Sequence, residues 1–185
     1  EELFLATRRS LSGGAAMPDE HLQARQVEAL SILRLYALDP TAHKALWSKL
    51  DTGYFLRHDA QEIAWQTRLL QAHVDTATPV VRARLSPIGE GIQVMIYTTD
   101  KNDLFARICG FFERINYNIL EAKIDTTRHG YALDSFQIME ASRSKTIYRD
   151  IMNYIEFELA QQIVQAKPVT YTTSGRVSRQ LKNFP

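Results

Sequence analysis

The residues best suited to chemistry fall in two places. His58-Asp59 sets an imidazole beside a carboxylate, as metal-dependent phosphohydrolases do to hold a cation and activate water, with His21 and His43 as conceivable partners. Glu62, three residues after Asp59, supports a plainer role. Asp-x-x-Glu ahead of Ile63, Leu70 and Val74 is a variant of the capping box that opens a helix. The expected metal set and the expected catalytic set are therefore both empty. The second place is the polar run Asp100-Lys101-Asn102-Asp103-Leu104, at the start of an amphipathic helix whose free N–H groups and dipole suit a ligand carboxylate. Asn118 and Ile119, opening the next extended run, complete an expected ligand-binding set of Asp100, Asn102, Asp103, Leu104, Asn118 and Ile119. In the plain alternative Asp103 caps its own helix and Asn118 satisfies its own turn. Cys109, the only cysteine, excludes an intrachain disulfide and a cysteine-based zinc site, and reads as a small packed residue.

Two kinds of element must position these residues. Up to about residue 75 the pattern is helical. Gly13-Gly14, followed by Ala, Met and Pro, ends an opening piece, and Pro18-Asp19-Glu20 starts a helix with Val27, Leu30, Leu33 and Ala37 on one face. Asp39-Pro40 is expected to open a short helix through Leu46 and Trp47, closed by Gly53, and Thr78-Pro79 stops the helix begun at Asp59. Beyond residue 80 the period changes to two. Ile92, Val94 and Ile96 alternate with Gln93, Met95 and Tyr97. Leu104, Ile108, Phe111, Phe112 and Ile115 then mark a helix. Asn118–Thr127 and Tyr131–Glu140 read as strands joined by a hairpin at Gly130, with Leu120, Ala122 and Ile124 expected in the core and Glu121, Lys123 and Asp125 on the charged face beside Ile119. Ile147, Ile151, Ile155, Leu159 and Ile163 mark a second helix. The order is βαββα, and the tail Val177–Pro185 is the expected fourth strand of a split βαβ pattern.

Several stretches resemble the bifunctional uridylyltransferase/uridylyl-removing enzymes that modify the nitrogen regulatory protein PII. Leu3-Phe4-Leu5-Ala6-Thr7-Arg8-Arg9 is similar to the helix leaving that family's HD hydrolase domain. Tyr54-Phe55-Leu56-Arg57-His58, with Ile63-Ala64-Trp65 and Arg68-Leu69-Leu70, is similar to the linker before its first ACT domain. Ile96–Lys101 with Leu104-Phe105-Ala106, and Asp125–Gly130 with Asp134-Ser135-Phe136, resemble that ACT domain. The resemblance implies an α+β chain: a helical segment over 1–80, then a ferredoxin-like βαββαβ ACT domain over 81–185. It also implies a regulatory fragment, sensing glutamine or coupling domains, of an enzyme that adds UMP to PII and removes it. Magnesium is implied for that whole enzyme only, because the chain has no Asp-x-Asp pair. Implied partners are the enzyme's other domains, glutamine, PII and a second copy through the ACT domain. ACT turns commonly read Asp-x-Pro-Gly-Leu, whereas here Asn102-Asp103 stands for Pro-Gly and puts a carboxylate where the ligand's own would sit.

Two other functions compete: an RNA-binding module of the same topology, and a phosphohydrolase through His58-Asp59. With 22 basic and 21 acidic side chains the net charge is +1, which gives no general field for nucleic acid or an acidic membrane. The apolar fraction of 45% is that of a folded soluble chain, and no apolar run has the roughly 20 residues of a membrane span. The expected location is the cytoplasm, and a start at Glu1 inside an apparent helix suggests a piece of a longer chain.

Overall fold

Pro18, Asp19 and Glu20 open the first helix, α1 (Pro18–Leu33), with proline lacking only an N–H that has no helical partner and the acids facing the positive end of the dipole. In the computed structural model, which describes residues 18–142 and 148–165, three further helices follow: α2 (Lys44–Trp47), α3 (Thr52–Arg57) and α4 (Ala60–Leu70). The expected face of α1 is rotated. Ala29 and Leu33 are buried, whereas Val27 is 66% exposed and Ala37 lies outside the helix, because close packing on α4 favours the small Ala29. Asp39 does not open α2. It accepts the Thr41 N–H at 2.7 Å in a local turn, and His43 takes the N-cap place. Gly53 closes nothing either: it sits inside α3, which Asp51 caps by accepting the Tyr54 N–H.

The sheet contains β1 (Val80–Leu85), β2 (Ile92–Thr99), β3 (Tyr117–Thr126) and β4 (Tyr131–Glu140), all antiparallel neighbours in the order β1-β2-β4-β3. The class is as expected, a mixed α+β chain whose four-stranded sheet is consistent with a ferredoxin-like ACT domain preceded by helices. The source of the fourth strand differs. Val80–Leu85 pairs with β2 as the fourth strand, and the expected strand Val177–Pro185 lies outside the described residues. The outer edge of β1 is blunted, since Glu156 accepts the Ala83 N–H at 2.8 Å. Gly91 makes the β1–β2 connection possible: at φ +105° it lies so close to β4 that an added Cβ would meet the Ile138 carbonyl at 2.3 Å. Gly130, at φ +84°, serves the β3–β4 hairpin as expected.

Both sheet faces are covered. On one, α5 (Leu104–Arg114) and α6 (Tyr148–Val164) bury Leu104, Ile108, Phe111, Phe112, Ile155, Leu159 and Ile163 against Val94, Ile96 and Phe136, as the helical stripes imply. On the other, α1–α4 pack Leu46, Tyr54, Phe55, Ile63 and Leu70 against Val80, Met95, Tyr97 and Leu133. Strand β3 departs from its expected faces because of a bulge. Ile119 pairs with Ile138 and Glu121 already with Gln137, so Leu120 is an extra residue that reverses the alternation beyond it. Leu120 and Ile124, expected in the core, are 54% and 45% exposed, while Asp125 is buried under the helical layer.

Candidate functional site

The expected ligand residues divide between the two ends of α5. At its start, Asp100 donates its N–H to Gly130 O at 2.9 Å, and the Leu104 N–H is already taken by Lys101 O at 3.0 Å. Asp103 does not cap the helix. Its carboxylate accepts from Arg107 Nε at 2.7 Å, and this bond holds it below the usual carboxylate range. At the other end Asn118 and Ile119 line a shallow pocket with Cys109 and Glu113. Thr126, hydrogen-bonded to Asp100, lies eight residues along β3 from Asn118, about 26 Å at the rise of an extended strand. Asp100, Asn102, Asp103 and Leu104 therefore stand together, and Asn118 and Ile119 stand apart from them.

His58 and Glu62 belong to a different constellation, between the helices and the sheet. Asp59 caps α4 by accepting the Glu62 N–H at 2.8 Å, as the Asp-x-x-Glu spacing implies. The Glu62 side chain does not close the box; it turns into the interior. There it accepts Ser135 Oγ at 2.6 Å, Lys123 Nζ at 2.8 Å and Gln93 Nε2 at 2.9 Å, one group from each of three strands. His58 is wholly buried, its ring tilted against that of Tyr54, and sits between two carboxylates. Nε2 is 2.8 Å from Asp125 Oδ2, and Nδ1 is 3.0 Å from Glu62 Oε2 in an ionic contact rather than an aligned hydrogen bond. Arg57 completes the group by pairing with Asp125.

The charges are mutually held. Burial alone would favour neutral His58, but Asp125 and Glu62 outweigh it and raise its pKa above the usual value. Burial likewise works against ionised Glu62, yet His58, Lys123 and Ser135 bring it down to about 2. The arrangement clamps α3 and α4 to β2, β3 and β4, with each His58 ring nitrogen facing a carboxylate. Among the described residues no group of three or more His, Cys, Asp or Glu side chains has the geometry to hold a metal, and no helix is long and apolar enough to cross a membrane. The sequence signal for the clamp was slight: Glu62 and Gln66, with Thr67, are the polar residues among the buried positions of a helix that otherwise buries apolar ones.

Residues 17–69 match the family described as Uridylyltransferase GlnD fifth domain. The whole chain is 50% identical, over 188 aligned residues, to a bifunctional uridylyltransferase/uridylyl-removing enzyme of Ralstonia nicotianae, and spans 22% of that protein. Enzymes of the same description from Burkholderia thailandensis and Burkholderia mallei are 49% identical over 187 residues, again over all of this chain and 21% of theirs. Along its full length the chain matches the C-terminal region of bifunctional uridylyltransferase/uridylyl-removing enzymes. The clamp therefore joins a helical segment that carries the fifth-domain match to the sheet that follows it in this chain.

Proposed function

We propose that this chain is the part of a bifunctional uridylyltransferase/uridylyl-removing enzyme that couples a regulatory ACT domain to the domains before it. Glutamine is the signal and PII the protein substrate of the whole enzyme. UMP transfer, its magnesium and the removing reaction belong to parts outside this chain. The clamp carries the reading: Glu62 binds three strands from a helix that the fifth-domain match covers, so a change at the sheet is felt by that helix. The start of α5 is the proposed glutamine contact, and a site that also uses Asn118 and Ile119 takes them from a second copy.

The competing readings have less support. RNA recognition by this topology needs exposed aromatics on the central strands, but Phe136 is fully buried and Tyr131 is stacked between Tyr97 and His129. A phosphohydrolase needs His58 open to metal, and its ring nitrogens face Asp125 and Glu62. The decisive experiment places Glu62→Gln in the intact enzyme and measures UMP transfer and removal with and without glutamine. Coupling predicts that both activities persist while the response to glutamine is lost. An unchanged response refutes it.

A further inference from the structure

Away from the clamp, α1 carries an apolar strip that leads out of the core. Leu33, Leu30 and Val27, each three residues from the next, pass from buried through half-buried to 66% exposed. Beside Leu30 and Leu33, the loop over residues 38–43 and the end of α4 leave an open recess of about 360 Å³, with Thr67 and Gln71 in its wall. Among the described residues, no buried polar atom that lacks a partner lies in this lining. The recess and the strip call for apolar cover rather than for a polar ligand.

The chain ahead of α1 has the composition to supply it. Phe4, Thr7 and Leu11 recur at i, i+3 and i+7, the spacing of one helix face, and Gly13 to Met17 separate them from Pro18, where α1 begins. A connection of five residues has the length that folds two helical stretches back on each other as an antiparallel pair. Leu30 stands twelve residues after Pro18, about 18 Å along α1, and residues 3–12 would span about 15 Å as a helix. Leu3 and Phe4 then fall beside Val27 and Leu30. The charges favour the same alignment: Arg8-Arg9 comes to Asp19-Glu20 in the first turn of α1, and Glu1-Glu2 comes to exposed Arg34 just beyond its end. The reverse alignment would bring like charges together.

We propose that residues 1–12 dock along the Val27 side of α1 and seat Phe4 in the recess beside Leu30, so that a segment ahead of the fifth-domain match rests on the end of α4. As a contact this stands on the geometry of α1 alone; as a route for coupling it rests on the reading above. The match begins at residue 17, and Thr67, in the wall of the recess, follows Glu62 by five residues on the same helix. Thr67 also holds α2, its Oγ1 accepting Trp47 Nε1 at 2.9 Å. A shift of the docked segment thus reaches the clamp through a single helix.

The test is paramagnetic broadening of NMR signals in the full chain. A nitroxide is attached to Leu5→Cys, which lies off the Phe4 face, in a Cys109→Ser background because Cys109 is the only native cysteine. Docking predicts broadening of the Leu30, Leu38 and Gln71 amides, far from Pro18, and its loss on Val27→Asp, a change at an exposed position where folding is not at risk. Broadening limited to the residues next to Pro18 overturns the proposal, as does broadening that Val27→Asp leaves unchanged. Mixing the spin-labelled chain with an isotope-labelled chain that carries no nitroxide detects a second copy: broadening at the same amides in the mixture makes that copy the occupant and overturns the proposal too. Each of these failures leaves the Glu62→Gln test of coupling standing.

Discussion

Glu62 gathers donors from three strands while its own helix begins three residues earlier, so one carboxylate fixes α4 on the sheet. Removing its charge leaves buried His58 and partly exposed Lys123 each short of an anion. Glu62→Gln should therefore destabilise the chain by about 2–3 kcal/mol, read from urea denaturation at neutral pH. The same cluster sets a pH profile. Glu62, lowered to about 2, and Asp125, lowered despite burial by His58 and Arg57, contribute stability that is complete above their ordinary values of 4.5 and 3.8 and is lost as pH falls through the folded ones. His58 has the opposite sign. Its pKa is raised, so its contribution is complete below its ordinary 6.5 and fades as pH rises through the folded value. Asp134, pushed up to about 7 chiefly by burial, adds a fall that begins above its ordinary 3.8 and ends near 7, because the unfolded chain releases that proton earlier. Stability should peak between about pH 4 and 5, where the contribution of Glu62 is nearly complete and the fall due to Asp134 has begun. In His58→Gln the fall above pH 6.5 should shrink to the part due to Asp134, and an unaltered alkaline limb would show that His58 is not charged in the fold.

At the scale of elements, the bulge in β3 decides which residues the helical layer meets. Deleting Leu120 restores strict alternation, and then either Lys123 and Asp125 leave the clamp or Tyr117 and Ile119 leave the core beneath α5. Hydrogen exchange should detect the first outcome as lost protection in α4 with α5 unchanged, because the clamp is polar and the core under α5 holds more apolar surface. The sequence displays α5, most of α6 and the Gly130 hairpin openly, since each rests on a local period or a residue type that its backbone requires. It conceals the bulge, because an extra residue shows only against the strand it pairs with. It conceals β1 for a related reason: Val-Val-Arg-Ala-Arg-Leu carries two arginines that read as solvated, and Arg84 is half-buried only because Trp65 covers it. At the candidate sites, the Asp59 cap and the polar turn before α5 were legible, whereas the pairing of His58 with Asp125, 67 residues along the chain, was not.

For the whole molecule the question is whether the helical segment is an appendage or one side of the fold. Val80, Met95, Tyr97 and Leu133 form a sheet face whose only cover among the described residues is α1–α4, and together they make one apolar cluster with Leu46, Tyr54, Ile63 and Leu70. The far end of that face is pinned as well. Tyr97 Oη donates to Val74 O at 2.7 Å, Tyr131 Oη to Thr76 O at 2.9 Å, and the Arg128 N–H to Lys49 O at 2.8 Å. A chain begun at Thr78 would lose these bonds and the clamp, and would expose Val80, Met95, Tyr97 and Leu133 on one face of its sheet. An exposed patch of that kind drives association. Such a truncation should therefore aggregate or self-associate, whereas the full chain should unfold in one transition with Trp47 and Trp65 fluorescence following the circular dichroism signal. Analytical ultracentrifugation of both chains decides it: a monomeric, folded truncation would make the helices separable from the sheet and would remove the physical basis for coupling through the clamp.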